Sequence, residues 1–242
     1  MKHFDIYGVK AADESLSFTE MSGRYSIQAE GLKRTVADIF LKLDLQPSDR
    51  LLDIGCGVGD LTIPLSMTVA ETTCIDHPAI LERLKERIPK EPVCYMPGDF
   101  AHVKIGKSFD KIMAYGVVVC LSSKEEVISF IDKACELLAP GGRMLLGDFV
   151  NLDKKQRFLS SKTGAEFSQQ WEKLMASGAR EVNAQAAFHQ SAESVFHQID
   201  DGFICELLLR YRRRGFDVYL LPQPCNLPFG HTREDILFAR PL

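Results

Sequence analysis

Hydrophobic positions along the chain form short continuous runs that alternate with helical spacings. Apolar runs of about four to eight residues between turn residues are typical of buried strands, whereas apolar residues three or four positions apart indicate amphipathic helices. The predicted strands are Arg50–Ile54, Thr72–Ile75, Pro92–Met96, Phe109–Tyr115, Arg143–Val150, Phe216–Leu221 and Asp235–Ala239. The predicted helices are Gly31–Leu43, Leu61–Val69, Pro78–Ile88, Ser123–Leu138 and Gly202–Arg214. This alternation predicts an α/β fold with a doubly wound, mostly parallel seven-stranded sheet that helices cover on both faces.

Two stretches depart from the alternation. Residues 1–45 are predicted to form an N-terminal helical cap. Residues 151–201 are polar and mostly helical in pattern, and about fifty residues between two strands is too long for a plain crossover. We therefore predict a helical insertion or lid after the fifth strand, with extra packing over a sheet edge as the simpler alternative. Residues 1–242 are expected to form a single domain.

The overall charge gives no bias toward nucleic acid, because 29 basic and 33 acidic residues leave a net charge of −4. The basic cluster formed by Arg210 and residues 212–214 is interpreted as the solvated end of a helix, where cations suit the helix dipole. No apolar run is long enough for a transmembrane helix, and residues 1–10 lack the apolar core of a signal peptide. The seven cysteines lack zinc spacing and are interpreted as buried thiols. No membrane partner, no bound metal and a cytoplasmic location are expected.

A glycine-rich loop follows the first predicted strand and begins with an acid. The segment reads Asp53-Ile54-Gly55-Cys56-Gly57-Val58-Gly59-Asp60 and leads into a helix. Glycines let the backbone approach a ligand closely, and in a doubly wound sheet this loop lies beside the point where ligands bind. A nicotinamide dinucleotide site needs a glycine where Asp60 stands, because an acid there would repel a pyrophosphate. No Gly-Lys-Ser/Thr follows, so a Walker loop is excluded as well, and the expected ligand lacks phosphates.

The order of motifs along residues 30–150 resembles that of class I S-adenosylmethionine-dependent methyltransferases. The glycine-rich loop matches the family's Asp-x-Gly-x-Gly-x-Gly pattern, and a second acid, Asp76, ends the second strand. Pro97-Gly98-Asp99-Phe100 ends the third strand, and Leu138-Ala139-Pro140-Gly141-Gly142 is similar to the family's Leu-x-Pro-Gly-Gly turn. Each motif alone is a weak signal, but their occurrence in order at successive strand ends indicates this family.

The resemblance implies that S-adenosyl-L-methionine is the cofactor. The first acid and the glycine-rich loop would hold the methionine part, and the acid that ends the second strand would accept from the ribose hydroxyls. The acid and aromatic residue after the third strand would border the adenine, and the end of the fourth strand would lie near the sulfonium. The cofactor-binding residues implied in this way are Asp53, Gly55, Cys56, Gly57, Gly59, Asp76, His77, Asp99, Phe100, Tyr115 and Gly116.

Methyl transfer mainly requires alignment of nucleophile, methyl group and sulfur, and a hydroxyl acceptor also needs a base. The candidate bases are Asp148, His77, His189, His197 and His231. Asp148 ends the fifth strand and His231 lies in the irregular loop before the last strand, and these two are predicted to border the acceptor pocket. Tyr115 would offer its ring face or hydroxyl to the cationic centre, with ordinary packing as the alternative.

The nature of the acceptor is indicated by weaker features. Residues 147–158 and 226–235 are similar to segments of bacterial methyltransferases that accompany surface-polysaccharide or nonulosonate-sugar synthesis, which implies a small sugar-like or other metabolite acceptor. No Asp/Asn-Pro-Pro-Tyr/Phe segment follows the fourth strand, which favours methylation of oxygen or of a saturated amine. Lys154, Lys155 and Arg157 would either face an acidic acceptor or be solvated helix charges.

Two further functions stay open from the sequence. One is a methyltransferase that acts on RNA or protein, although the acidic net charge and the lack of an appended RNA-binding module disfavour RNA. The other is a non-catalytic protein that binds S-adenosylmethionine. The sequence does not specify an oligomeric state, and a homodimer is one of the arrangements left open.

Overall fold

The computed structural model describes residues 3–13, 15–21, 29–88, 93–176 and 194–242. Its strands are β1 (Arg50–Ile54), β2 (Glu71–Asp76), β3 (Val93–Pro97), β4 (Phe109–Tyr115), β5 (Leu138–Val150), β6 (Asp217–Pro222) and β7 (Arg233–Ala239). Its helices are α1 (His3–Ala12), α2 (Phe18–Met21), α3 (Ala29–Leu43), α4 (Thr62–Ser66), α5 (Pro78–Arg87), α6 (Lys124–Leu137), α7 (Leu152–Leu159), α8 (Lys162–Ala176) and α9 (Asp201–Arg212). Short 3₁₀ turns lie at Val118–Cys120 and Val195–His197.

The seven strands form one sheet in the order β3-β2-β1-β4-β5-β7-β6. Strands β1 to β5 run parallel, and β7 lies antiparallel between β5 and β6. The chain returns from β3 to place β4 beside β1, so the carboxyl ends of β1 and β4 flank a switch point of the kind where open α/β sheets bind ligands. The predicted doubly wound, mostly parallel sheet is confirmed.

Alternating strand residues supply an apolar layer on each face of the sheet. Ile112 and Leu146 pack in a cluster that includes residues of α6 and α9, whereas their neighbours Met113 and Leu145 pack in a cluster with α3. This separation follows from the two-residue period of a strand, which points successive side chains to opposite faces. Full burial of such a side chain contributes about 1.5–3 kcal/mol, so the two layers hold the strand ends of the site in place.

Two boundaries differ from the sequence-based predictions by more than two residues. Strand β5 begins at Leu138 rather than Arg143, and residues 140–142 lie within it at a register shift against β4. Helix α4 covers only Thr62–Ser66. The apolar residues after β4 form a 3₁₀ turn, because Gly116 has a φ of 72° and turns the chain away from the strand direction.

The described part of the predicted insertion contains α7, α8 and a 3₁₀ turn. Asn151 caps α7, since its side chain accepts a hydrogen bond from the N–H of Lys154. His189, one of the predicted candidate bases, lies outside the described residues. None of the described helices combines the length and the apolar character that crossing a membrane requires.

Candidate active site

A cavity of about 620 Å³ opens at the carboxyl ends of β1, β2, β4 and β5. Helix α1 contributes His3, Phe4 and Tyr7 to its wall, and α8 contributes Trp171. Its volume lies within the range of small-molecule sites. The predicted site residues that line it are Gly55, Cys56, Gly57, Asp76, Asp99, Phe100, Tyr115, Gly116 and Asp148.

The glycine-rich loop is built from three residues with positive φ: Gly55 at 75°, Gly57 at 55° and Gly59 at 90°. A Cβ on Gly59 would lie 2.3 Å from Cδ1 of Leu84, so this glycine lets the loop pack against α5. A Cβ on Gly57 would meet no atom within 4 Å, and Gly57 lines the cavity. The loop is therefore anchored at its far end and open to a ligand at its middle.

Asp76 connects the glycine-rich loop to the end of β2. Its Oδ2 accepts from the N–H of Gly57 at 2.8 Å, and its Oδ1 accepts from the N–H of His77 at 2.7 Å. Burial raises the pKa of this carboxyl to about 6, although the two backbone donors act in the opposite direction. A carboxylate accepts more than two hydrogen bonds, so Asp76 retains capacity for hydroxyl groups in the cavity.

Asp53 lies behind the loop rather than on the cavity wall. Its side chain is 2% exposed, and Oδ2 accepts from the hydroxyl of Thr62 at 2.5 Å. Burial raises the pKa of the Asp53 carboxyl to about 7, and the nearby charge of Asp76 adds to this. In this structure Asp53 fixes the start of α4.

The loop after β3 carries Asp99 and Phe100 into the cavity wall. Oδ1 of Asp99 accepts from the N–H of Ala101 at 2.9 Å, which fixes the turn. Lys133 of α6 donates to the carbonyl of Val103 at 2.8 Å and lies over the ring of Phe100. Sequence reasoning missed Lys133, and its only signal is a lysine on the helix face that also carries buried residues.

Tyr115, Gly116 and Asp148 form the wall at the ends of β4 and β5. Asp148 has a φ of 57°, a left-handed conformation that is uncommon outside glycine and is tolerated best by Asn and Asp. A Cβ on Gly116 would lie 3.7 Å from Oδ2 of Asp148. The Asp148 carboxylate is therefore directed toward the end of β4, beside Gly116.

A buried polar network supports this wall from behind. The carboxylate of Asp235, which is 0% exposed, accepts from Nζ of Lys42 at 2.7 Å, Nε2 of Gln223 at 2.8 Å and the N–H of Asp148 at 2.9 Å. Gln223 also donates to the hydroxyl of Tyr115 at 3.0 Å. Sequence reasoning missed Lys42, Gln223 and Asp235, because they come from three separate segments and only the fold joins them.

The three candidate histidines that the structure describes, His77, His197 and His231, do not line the cavity. The ring of His77 caps α5 by accepting from the N–H of Ala79 at 3.2 Å, and it does not line the cavity, although it was predicted to bind cofactor. His231 is exposed and stacks on Phe158 at 4.6 Å. The turn from Phe229 to Arg233 directs it toward α7 instead of the cavity, so its position does not support the predicted place beside Asp148. His197 is also exposed.

Two cysteines and the acid Asp60 also line the cavity. Cys56 and Cys120 line the cavity, and burial raises the pKa of the Cys120 thiol to about 12. Burial likewise raises the pKa of Cys56 well above its usual value. Asp60, the acid that argued against a pyrophosphate ligand, is paired with Arg87 at 2.7 Å and lines the cavity beside the glycine-rich loop.

The wall chemistry fits a nucleoside that carries positive charge. Asp76 and Asp99 offer carboxylates, Phe100 offers a ring, and the open face of Gly57 leaves room for close approach. Anionic acceptors suit ribose hydroxyls, an adenine amino group and a cationic centre. S-adenosylmethionine presents all three. Among the described residues, no cluster of His, Cys, Asp or Glu side chains could hold a metal ion.

Comparison with known proteins identifies a known domain in part of this chain. Residues 51–142 match the model of a family described as a methyltransferase domain. A malonyl-[acyl-carrier protein] O-methyltransferase of Haemophilus ducreyi is 26% identical over 162 residues, 63% of this chain and 62% of that protein. A ubiquinone biosynthesis O-methyltransferase of a Methylobacterium species is 31% identical over 125 residues, 50% of this chain and 48% of that protein. The chain thus spans less than two thirds of the length of these relatives.

A solved structure with the same fold covers the full chain. The N-methyltransferase NodS of Bradyrhizobium japonicum WM9, in complex with S-adenosyl-L-homocysteine, superposes with a TM-score of 0.61 over 100% of both chains. The two sequences are 14% identical, so this likeness concerns the fold.

Proposed function

We propose that this chain, which has the domain and the fold of the class I S-adenosylmethionine-dependent methyltransferases, transfers the methyl group of that cofactor to a small-molecule acceptor. The observation that carries the proposal is one continuous cavity. It joins the glycine-rich loop, Asp76 and Asp99 on one side to Tyr115 and Asp148 on the other. A cofactor and an acceptor held in such a space are close enough for direct transfer.

The cofactor side would be held by residues that already have fixed positions. Asp76 would accept from ribose hydroxyls while it keeps the glycine-rich loop in place. Asp99 and Phe100 would border the base, and Gly57 would admit the methionine part. When bound, S-adenosylmethionine supplies a methyl group that is already activated by its positive sulfur.

The acceptor side is expected to work by alignment and proton removal. Asp148 would accept the proton of an acceptor hydroxyl or ammonium group, and its φ of 57° is fixed by the bond from its N–H to Asp235. Tyr115 would border the reacting atoms, with its hydroxyl held by Gln223. His231 is not part of the proposed site, because it stacks on Phe158 and does not line the cavity.

A small acceptor is supported by the enclosure of the site. Side chains from α1 and α8, including Phe4, Tyr7 and Trp171, contribute to the cavity wall beside the sheet edge. The names of both relatives contain O-methyltransferase, which supports oxygen as the methylated atom. A sugar-like or other polar metabolite remains the proposed class of acceptor.

Labelled S-adenosylmethionine tests this function directly. The protein is incubated with it and with a cell extract that an ultrafilter has divided into small molecules and macromolecules. Label in the small-molecule fraction is expected, and label confined to RNA or protein would contradict the proposal. Tight binding of S-adenosylhomocysteine with no transfer to either fraction would indicate a non-catalytic binding protein.

A pair of variants tests whether Asp76 contributes to cofactor binding. Asp76→Ala is expected to weaken binding of S-adenosylhomocysteine by about 1–3 kcal/mol, because buried hydrogen bonds are lost. Asp217→Ala, an exposed change on the edge strand β6, is the matched control and should bind as the wild type does. Equal affinities of all three proteins by calorimetry would remove Asp76 from the proposed cofactor site.

A further inference from the structure

Arg233, the first residue of β7, lines the cavity but has no part in the roles given above. Its Nη1 atom is buried and has no hydrogen-bond partner among the described residues. A buried polar group without a partner is rare in folded proteins, and leaving a charged donor unpaired costs more than leaving a neutral one. This donor of the guanidinium therefore keeps the capacity to bind a hydrogen-bond acceptor in the cavity.

Two aromatic rings and two backbone hydrogen bonds hold Arg233 in place. The guanidinium carbon lies 5.1 Å from the ring centre of Phe196 and 5.3 Å from that of Phe229. The backbone of Arg233 donates to the carbonyl of Phe229 at 3.0 Å and accepts from Nζ of Lys154 at 2.7 Å. Aromatic faces attract a guanidinium through cation–π contacts and leave its N–H groups free to bind an anion.

A second cation, Lys155, lies close to Arg233. Nζ of Lys155 lies 4.7 Å from the ring centre of Phe196, which also contacts the guanidinium. Burial, followed by the positive charge of Arg233, lowers the pKa of Lys155, so the two cations lie close enough to repel each other. Asp148 attracts Arg233 through space, which places the guanidinium and the proposed base on neighbouring parts of the same wall.

The other cations of α7 have partners of their own. Lys154 is bound to the carbonyl of Arg233 and lies 3.8 Å from Glu234, and Arg157 pairs with Asp201 at the exposed surface. The sequence left open whether these cations face an acidic acceptor. In the structure Lys154 and Arg157 bind other groups of the protein, whereas Arg233 lines the cavity.

From these contacts we propose that Arg233 binds an anionic group of the acceptor, a carboxylate or a phosphate monoester, and so holds the acceptor beside Asp148. The planar guanidinium suits both groups, since it can donate two parallel hydrogen bonds to two oxygens. This inference rests on the proposed methyl transfer and specifies the acceptor class for that same site.

Fractionation of small molecules on an anion exchanger tests whether the acceptor is an anion. A cell extract freed of proteins and nucleic acids by ultrafiltration is divided at neutral pH into retained and unretained pools, and each is incubated with labelled S-adenosylmethionine. The wild-type protein is expected to label the retained pool. Arg233→Gln should lower that rate by about thirtyfold or more, as expected when one partner of a buried charge pair is removed. Arg233→Lys should recover part of it.

Arg157→Gln is the matched control, because it removes the same charge from an exposed position on α7. It should label the retained pool at the wild-type rate. Treatment of that pool with a phosphatase before the reaction distinguishes the two anions: loss of label indicates a phosphate monoester, and unchanged label indicates a carboxylate.

Several outcomes would overturn the inference. Label only in the unretained pool, or a wild-type rate for Arg233→Gln, would refute anion binding while methyl transfer stands. Arg233 would have a purely structural role if Arg233→Gln and Arg233→Lys lost S-adenosylhomocysteine affinity equally and both unfolded at a lower denaturant concentration than the wild type. If neither pool is labelled although S-adenosylhomocysteine binds, the proposed function itself fails and the acceptor class fails with it.

Discussion

At the scale of single residues, burial is the main influence on two acids near the glycine-rich loop. It raises the pKa of Asp53 to about 7 and that of Asp76 to about 6. A cationic ligand near either carboxylate would favour the ionised form and oppose this shift. Both carboxyl groups are therefore less stable when charged in the protein without ligand. Asp76 lines the cavity, so it is the one that a bound cationic ligand would approach.

The raised pKa of Asp53 gives a prediction about stability and pH. A carboxyl group whose pKa is higher in the folded state stabilises the fold fully below its unfolded pKa, and this contribution is lost as pH rises through the folded pKa of about 7. Asp53→Asn removes the charge and keeps an acceptor for Thr62. In urea denaturation without ligand, the free energy of unfolding of the variant relative to that of the wild type should increase by about 2–3 kcal/mol from pH 5 to pH 8. A difference that does not change with pH would contradict a raised pKa.

The backbone of Asp148 allows its acid function to be tested separately from its conformation. Asn tolerates the left-handed conformation as Asp does, so Asp148→Asn should keep the fold and its affinity for S-adenosylhomocysteine. Loss of the base should lower the methyl-transfer rate by about 10²–10⁴-fold for an acceptor that must lose a proton. Asp217→Asn on β6 is the control, and an unchanged rate for Asp148→Asn in single-turnover experiments would exclude Asp148 as the base.

At the scale of elements, the glycine-rich loop depends on two glycines for different reasons. Both Gly57 and Gly59 have positive φ, but only at Gly59 would a Cβ overlap a side chain of α5. Without ligand, Gly59→Ala should destabilise the protein by about 2–4 kcal/mol, from backbone strain plus steric overlap. Gly57→Ala should cost about 1–2 kcal/mol, from strain alone. Equal losses for the two variants in denaturant unfolding would mean that packing against α5 contributes nothing.

The element boundaries show where sequence patterns are sufficient and where they are not. Strands β1 and β4 were predicted with the bounds that the structure has, because their apolar runs are continuous and buried on both faces. Residues 140–142 were predicted as a turn, but pairing of Leu138 with Phe109 extends β5 through them. Such an extension depends on a neighbouring strand, which local propensity does not encode.

The basic cluster at the end of α9 was interpreted from local sequence as a solvated helix end. In the structure Arg214 and Arg210 both pair with Asp132 of α6, the latter at 3.9 Å. The partner lies on another helix, so the sequence alone could not identify it. The pairing is partly exposed and contributes little to stability.

At the scale of the whole molecule, the buried network around Asp235 joins α3 to the strand ends of the site. Lys42→Met removes the cation that pairs with both Asp235 and Asp38. It should destabilise the protein by about 3–5 kcal/mol, because two carboxylates lose their common partner in a buried setting. Lys85→Met, which breaks an exposed pair with Glu82, should cost about 1 kcal/mol or less. Similar unfolding midpoints for both variants would mean that the network is not structural.

Features that are local in sequence could be predicted, whereas features that depend on the fold could not. The fold followed from motifs that are local in sequence and is confirmed, and residues 51–142 match a methyltransferase domain as those motifs indicated. The site residues themselves stay predictions, although the structure brings Asp76, Asp99, Tyr115 and Asp148 to one cavity. The sequence did not single out Arg233 within residues 226–235, because the environment of this residue depends on the antiparallel pairing of β7 with β5.

The half-buried thiol of Cys120 affects the durability of the proposed enzyme. A thiolate beside an activated methyl donor would be alkylated and would consume the donor, since the thiolate is the nucleophilic form of cysteine. With its pKa raised to about 12, Cys120 stays protonated at neutral pH and resists self-methylation. Intact-protein mass spectrometry after long incubation with S-adenosylmethionine should therefore show no added methyl group.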